Sequence, residues 1–86
     1  MIIHSRARKH GLIDEQIIDA LATSSGDARI RDRDRDAEPP RWAMIGWDHS
    51  GRPIELVVVG LLGGEIMVIH ANYLTQGFLN EIREAR

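Results

Sequence analysis

Six residues, Val68-Ile69-His70-Ala71-Asn72-Tyr73, carry the densest chemistry in this chain. An apolar run ends at a histidine, whose proton moves near neutral pH, and a tyrosine follows three positions on. A polar pair at the exit of a buried strand can serve as acid and base; Tyr73 could also donate to a phosphate or stack on a nucleobase. An ordinary strand end has the same appearance. A second group lies near the start, where Arg6, Arg8, Lys9 and His10 set four cationic or titratable side chains within five residues. Arg41 and Arg52 stand at opposite ends of a hairpin and cannot both serve one site; Arg41, at a strand start, suits a phosphate better. His4, His10, His49 and His70 lack metal-ligand spacing and the chain has no cysteine, so no metal and no other cofactor is expected. The glycines from Gly60 to Gly64 lack the lysine and Ser/Thr of a phosphate loop.

The elements that must position these groups follow from hydrophobic spacing. Met1 to His4 is a candidate edge strand. Ser5 to His10, closed by Gly11, reads as a short helix. Ile13, Ile17, Ile18 and Leu21 recur on one helical face, with Asp14 and Glu15 in the first turn, where the helix dipole favours them. Residues 25–40 read as an exposed flexible loop: Arg31 to Asp36 alternates in sign, nothing apolar is there to dock it, and Pro39-Pro40 forbid helix. Trp42–Trp47, Ile54–Gly60 and Glu65–Ala71 then form three strands joined by turns at Asp48–Pro53 and Gly63-Gly64. Trp42 and Trp47 have opposite parity, so one is expected in the core and the other on a partner or dimer surface. Thr75 caps a last helix, with Leu74, Phe78, Leu79 and Ile82 on one face. The expectation is a single α+β domain over 1–86. A small antiparallel sheet, a three-strand meander with the short N-terminal edge strand, is covered on one face by two N-terminal helices and one C-terminal helix.

Composition narrows the classes. With 43% hydrophobic and 28% charged residues the chain has the profile of a soluble domain. Eleven Lys and Arg against thirteen Asp and Glu leave a net charge of −2, so a nucleic acid would need a local basic patch. No secretion signal or bilayer-spanning run is seen, and the absence of cysteine suits a cytoplasmic setting.

Read in order, His4 with Ala7-Arg8-Lys9-His10-Gly11-Leu12, then Arg41-Trp42-Ala43-Met44-Ile45-Gly46, then Gly51-Arg52-Pro53-Ile54-Glu55-Leu56-Val57-Val58-Val59, then Gly64-Glu65-Ile66-Met67-Val68-Ile69-His70-Ala71, resemble BrnT-type toxins of bacterial toxin–antitoxin pairs. The resemblance spans nearly the whole chain and is poorest at the Arg-Asp run. It implies a RelE-like fold, cleavage of messenger RNA, and neutralisation by a cognate antitoxin through which the pair would reach its operator DNA. Metal-free RNA cleavage needs a base, an acid and cations. His70, Lys9, His10, Arg41 and Tyr73 are the candidate catalytic residues, with Arg6, Arg8 and Arg52 as RNA contacts. Where such toxins carry a basic residue after the strand-ending Ala71, this chain has Asn72 and Tyr73. The phosphate-holding cations must therefore come from around Lys9 or from Arg41. The alternative expectation is a catalytically inactive module of the same fold, acting through protein contacts or as a homodimer.

Overall fold

The computed structural model describes residues 1–24 and 28–84. Strand β1 (Ile2–Ile3) leads into a 3₁₀ turn at Ser5–Arg8, helix α1 (Asp14–Thr23) and a second 3₁₀ turn at Asp32–Asp34. Strands β2 (Arg41–Trp47), β3 (Pro53–Gly60) and β4 (Ile66–Tyr73) and helix α2 (Gln76–Glu84) complete the chain. The sheet order is β1-β4-β3-β2. The expected meander is there, since β2–β3 and β3–β4 pair antiparallel, but β1 joins β4 in parallel and makes the sheet mixed. Two α-helices are present among the described residues instead of three, because Ser5–Arg8 closes as a 3₁₀ turn. No helix of the described residues is long and apolar enough to cross a membrane.

Strand β3 is central, and its residues Ile54 to Val59 are buried on both faces. Ile54, Leu56 and Val58 point to one side, where Ile17 and Ala20 of α1 pack with Leu12 and Ala7. Val57 points to the other, where Ala43 and Phe78 of α2 form a second, smaller core with Ile45, Ile69, Leu74 and Ile82 around it. The two helices thus cover opposite faces, and the expectation of helices on one face fails. Each buried aliphatic side chain contributes roughly 1.5–3 kcal/mol. Gly46 lets α1 lie close against β2, for a Cβ there would run into the carbonyl of Ala20. Trp42 and Trp47 are each 40% exposed, so neither is the expected core tryptophan.

Strand β4 carries one extra residue. Val57 faces His70 while Val58 faces Val68, which leaves Ile69 without a partner in the ladder. Such a bulge breaks the alternation of sides. Val68 and Ala71 therefore both pack under α1, and Ile69 joins the α2 core. His70 lies on the same side as Ile69, its ring stacked 6.2 Å from that of Phe78.

Residues 28–40 are largely exposed, as their charges suggest, but the segment is tied to the rest of the fold at two points. Arg29 exchanges two backbone hydrogen bonds with Ala43 (2.8 and 2.7 Å), extending the sheet edge by one bridge. The side chains of Arg31 and Asp34 are each only 5% exposed. Arg31 donates from Nε and Nη2 to Asp34 Oδ2 at 2.9 and 2.7 Å, and its guanidinium lies 5.2 Å from the Phe78 ring centre. Strict sign alternation hid this pair, because i,i+3 spacing in a 3₁₀ turn brings Arg31 onto Asp34 and the aromatic ring takes the place of an aliphatic anchor. The first part of the expected loop, residues 25–27, lies outside the described residues.

Candidate active site

On the α2 side of the sheet, α2 leaves one area uncovered, and there a cavity of about 280 Å³ opens. Its floor is Val57, Met67 and Ile69, and His70 stands in its wall. On the β1 side it is bounded by His4, Arg6 and Lys9, on the other by Arg31, Arg33 and Arg41. Five permanent cations thus meet two imidazoles in a chain whose net charge is −2. The Arg6–His10 turn does come beside His70: the His10 and His70 rings meet edge to face at 5.5 Å.

Local structure explains which basic residues arrive. Residues three apart in a 3₁₀ turn eclipse one another. Lys9 N donates to Arg6 O at 3.3 Å, so Arg6 and Lys9 share the cavity side. Arg8 is turned away, with Nε and Nη2 on Asp14 at 2.7 and 3.0 Å and Nη1 on the Ile3 carbonyl. The Asp14 bond raises the Arg8 pKa, and the Arg8 bond lowers that of Asp14.

His70 has a partner that sequence reading missed. Glu55, on the neighbouring strand β3, is 4% exposed and sets Oε2 2.6 Å from His70 Nε2. Its Oε1 accepts from the Thr75 N–H at 2.8 Å and the Thr75 hydroxyl at 2.7 Å. Burial pushes the Glu55 carboxyl up, but the bonds from His70 and Thr75 outweigh it and hold the pKa below its ordinary value. An ionised carboxylate only accepts, so the proton of neutral His70 sits on Nε2 and Nδ1 is left as the basic atom. A signal was present in the sequence: Glu55 is the lone charge in the apolar run Ile54–Val59, and a charge inside a two-sided strand must be paired.

His4 is the second residue missed. Its backbone N–H bonds Val68 O at 2.9 Å, fixing it next to β4, and its Nδ1 accepts from the Arg6 N–H at 3.1 Å. That bond leaves Nε2–H as a donor, the opposite arrangement to His70.

The Arg31–Asp34 pair organises the far wall. Arg41 Nη1 and Arg33 Nε approach Asp34 Oδ1 at 3.8 and 3.9 Å, so one buried carboxylate gathers three arginines. Arg41 is where the sequence reading wanted it.

Tyr73 and Arg52 are elsewhere. Paired with Ile54, Tyr73 lies on the α1 side, where Gln16 Nε2 donates to its hydroxyl at 3.0 Å and the Arg52 guanidinium lies 5.1 Å from its ring centre. Arg52 Nε also donates to Asp48 Oδ2 at 2.8 Å. Burial pushes the Asp48 carboxyl up, yet bonds from the Arg52 and Ser50 N–H groups and the Gln16 and Arg52 side chains leave it lowered. These residues tie the β2–β3 turn to α1, and neither Tyr73 nor Arg52 faces the cavity. Among the described residues, no three His, Asp or Glu converge to hold a metal ion.

No family model matches the chain, and no curated protein and no solved structure matches it either.

Proposed function

We propose that this protein is a metal-independent endoribonuclease, the toxin of a toxin–antitoxin pair with a RelE-like fold. The observation that carries the catalytic reading is the Glu55–His70 pair, a carboxylate-held imidazole opening into a cavity of cations. His70 Nδ1 takes the proton of an RNA 2′-hydroxyl. The 2′ oxygen then bonds to the adjacent phosphorus as the bond to the 5′ oxygen breaks, and His10, whose ring meets that of His70, supplies that leaving oxygen with a proton. Arg6 and Lys9, on the wall beside His70, stabilise the charge on the phosphorane, which supplies the term that usually dominates such catalysis, and Arg41 stands on the opposite wall. The products are a 2′,3′-cyclic phosphate and a 5′-hydroxyl. Tyr73, Arg8 and Arg52 have no part in this scheme.

The antitoxin, its operator DNA and a cytoplasmic setting rest on the sequence resemblance. Exposed Ile13, just before α1, with Ile18 on α1 and Trp42 and Trp47 on β2, offers apolar surface to a protein partner. The test is incubation of the purified chain with RNA in the presence of a chelator. Cleavage leaving cyclic phosphate ends, lost in His70→Ala and Lys9→Ala, supports the enzyme. Intact RNA with a folded protein overturns it and favours the alternative, an inactive binding module or homodimer.

A further inference from the structure

The cavity has two cationic walls, and they belong to different edges of the sheet. His4 follows β1 and Arg41 opens β2, the two outermost strands. Three strand spacings of about 4.8 Å separate those strands, more than one phosphate spans. The β1 wall, with Arg6 and Lys9, lies beside His70 and serves the scissile phosphate in the scheme above. The β2 wall is left with charge of its own. Arg31 is answered by Asp34 and, at 3.4 Å, by Glu81. Arg33 and Arg41 reach Asp34 only at 3.9 and 3.8 Å, beyond hydrogen-bonding distance, and their side chains are 65% and 48% exposed. Within 4 Å both meet Asp34 alone among the described residues, and it is already bonded to Arg31, while Arg33 also borders a second cavity lined by Asp32, Glu81 and Glu84.

We propose that Arg33 and Arg41 form a second phosphate seat, so that the cavity takes a nucleotide unit carrying two phosphates. This rests on the ribonuclease reading for the identity of the first seat. The apolar floor of Val57, Met67 and Ile69 lies between the seats, where the ribose and base rest. At about 280 Å³ the space is at the small end of ligand cavities and fits one nucleotide. The smallest complete ligand is therefore a nucleoside 3′,5′-bisphosphate, and in RNA it is two consecutive phosphodiesters. Asp34 acts as the positioning residue of the second seat, because it anchors Arg31 and draws the other two arginines to one side.

Calorimetric titration of the full chain with adenosine and uridine 3′,5′-bisphosphates, against the matching 3′- and 5′-monophosphates, tests this. The bisphosphates are expected to bind about tenfold or more tighter than either monophosphate, the scale of one additional charged hydrogen-bonded contact. That ratio should fall towards one in Arg33→Ala/Arg41→Ala. Arg33→Ala alone, on an exposed side chain, gives a partial fall even where the double variant does not fold. Equal affinities in the unaltered protein overturn the second seat, as does a ratio that survives in the variants or a failure of every nucleotide to bind. The readout needs no turnover. A bisphosphate preference with RNA left intact would sink the ribonuclease reading and keep the seat.

Discussion

Glu55 Oε2 and His70 Nε2 meet at 2.6 Å across neighbouring strands, on one face of the regular ladder in which Glu55 pairs with Asn72 and Val57 with His70. The carboxylate sets the tautomer and orientation of the imidazole. Glu55→Gln keeps the shape and the Thr75 bonds but removes the obligate acceptor. RNA cleavage should fall at least about a hundredfold, with nucleotide affinity changed far less, as a split between kcat and KM would reveal.

The same carboxylate makes stability depend on acid. Its pKa is lower folded than unfolded, so between the two values the unfolded chain binds more protons and stability rises with pH. The contribution is fully present above the unfolded value, about 4.3, and is lost as pH falls through the folded one. Urea midpoints taken from pH 6 down to pH 3 should drop less steeply for Glu55→Gln than for the unaltered chain. Parallel curves would show that Glu55 is not the responsible group.

Asp34 holds a buried guanidinium, and removing one partner of such a pair strands the other. Asp34→Asn should cost about 3 kcal/mol in chemical denaturation. Replacing both partners, as in Arg31→Met/Asp34→Leu, should recover most of that loss while weakening nucleotide binding. A double variant no more stable than Asp34→Asn would mean that the charges themselves hold residues 28–40 in place.

Gly46 marks the closest approach of α1 to the sheet. Gly46→Ala should lower stability by roughly 1–3 kcal/mol or more, since backbone must move to admit the methyl group. At about 4–8 °C per kcal/mol for a domain of this size, the thermal midpoint reads it directly.

Adjacent basic residues should behave differently. Lys9→Ala is expected to weaken RNA cleavage and its salt dependence, whereas Arg8→Ala, which opens an exposed pair with Asp14, should alter cleavage little. Tyr73→Phe belongs with Arg8→Ala in activity, losing about 1 kcal/mol of stability through the Gln16 bond alone. Equal losses in all three would mean that the cavity is not where RNA binds.

Much of the scaffold was legible because its signals are local. The Ile17–Leu21 spacing, the β-branched run at Val57–Val59 and the turn at Gly51 each act within a few residues. Lys9 and Arg41, candidates from residue type and position, both line the cavity. What stayed hidden depends on tertiary pairing. Two residues of β1 cannot announce a parallel partner 65 positions on. Arg31 and Asp34 read as solvated until Phe78 lies against them. Tyr73 is the opposite case: it stands three residues from His70 in the regular register of β3 with β4, so alternation alone turns the two apart.

That register has a consequence for how the site can change. Strict alternation would let β4 keep one set of side chains per face; the odd residue at Ile69 shifts the count. Loss of Ile69 would leave Val57 facing His70 and Val58 facing Val68 in a regular ladder, so both side chains would keep their faces and the cavity would lose only an apolar floor residue. The bulge is therefore a reserve, a place where a codon can be lost without turning His70 away from Glu55. What the site cannot lose is the unbroken stretch from His70 to Tyr73, which holds the imidazole opposite β3.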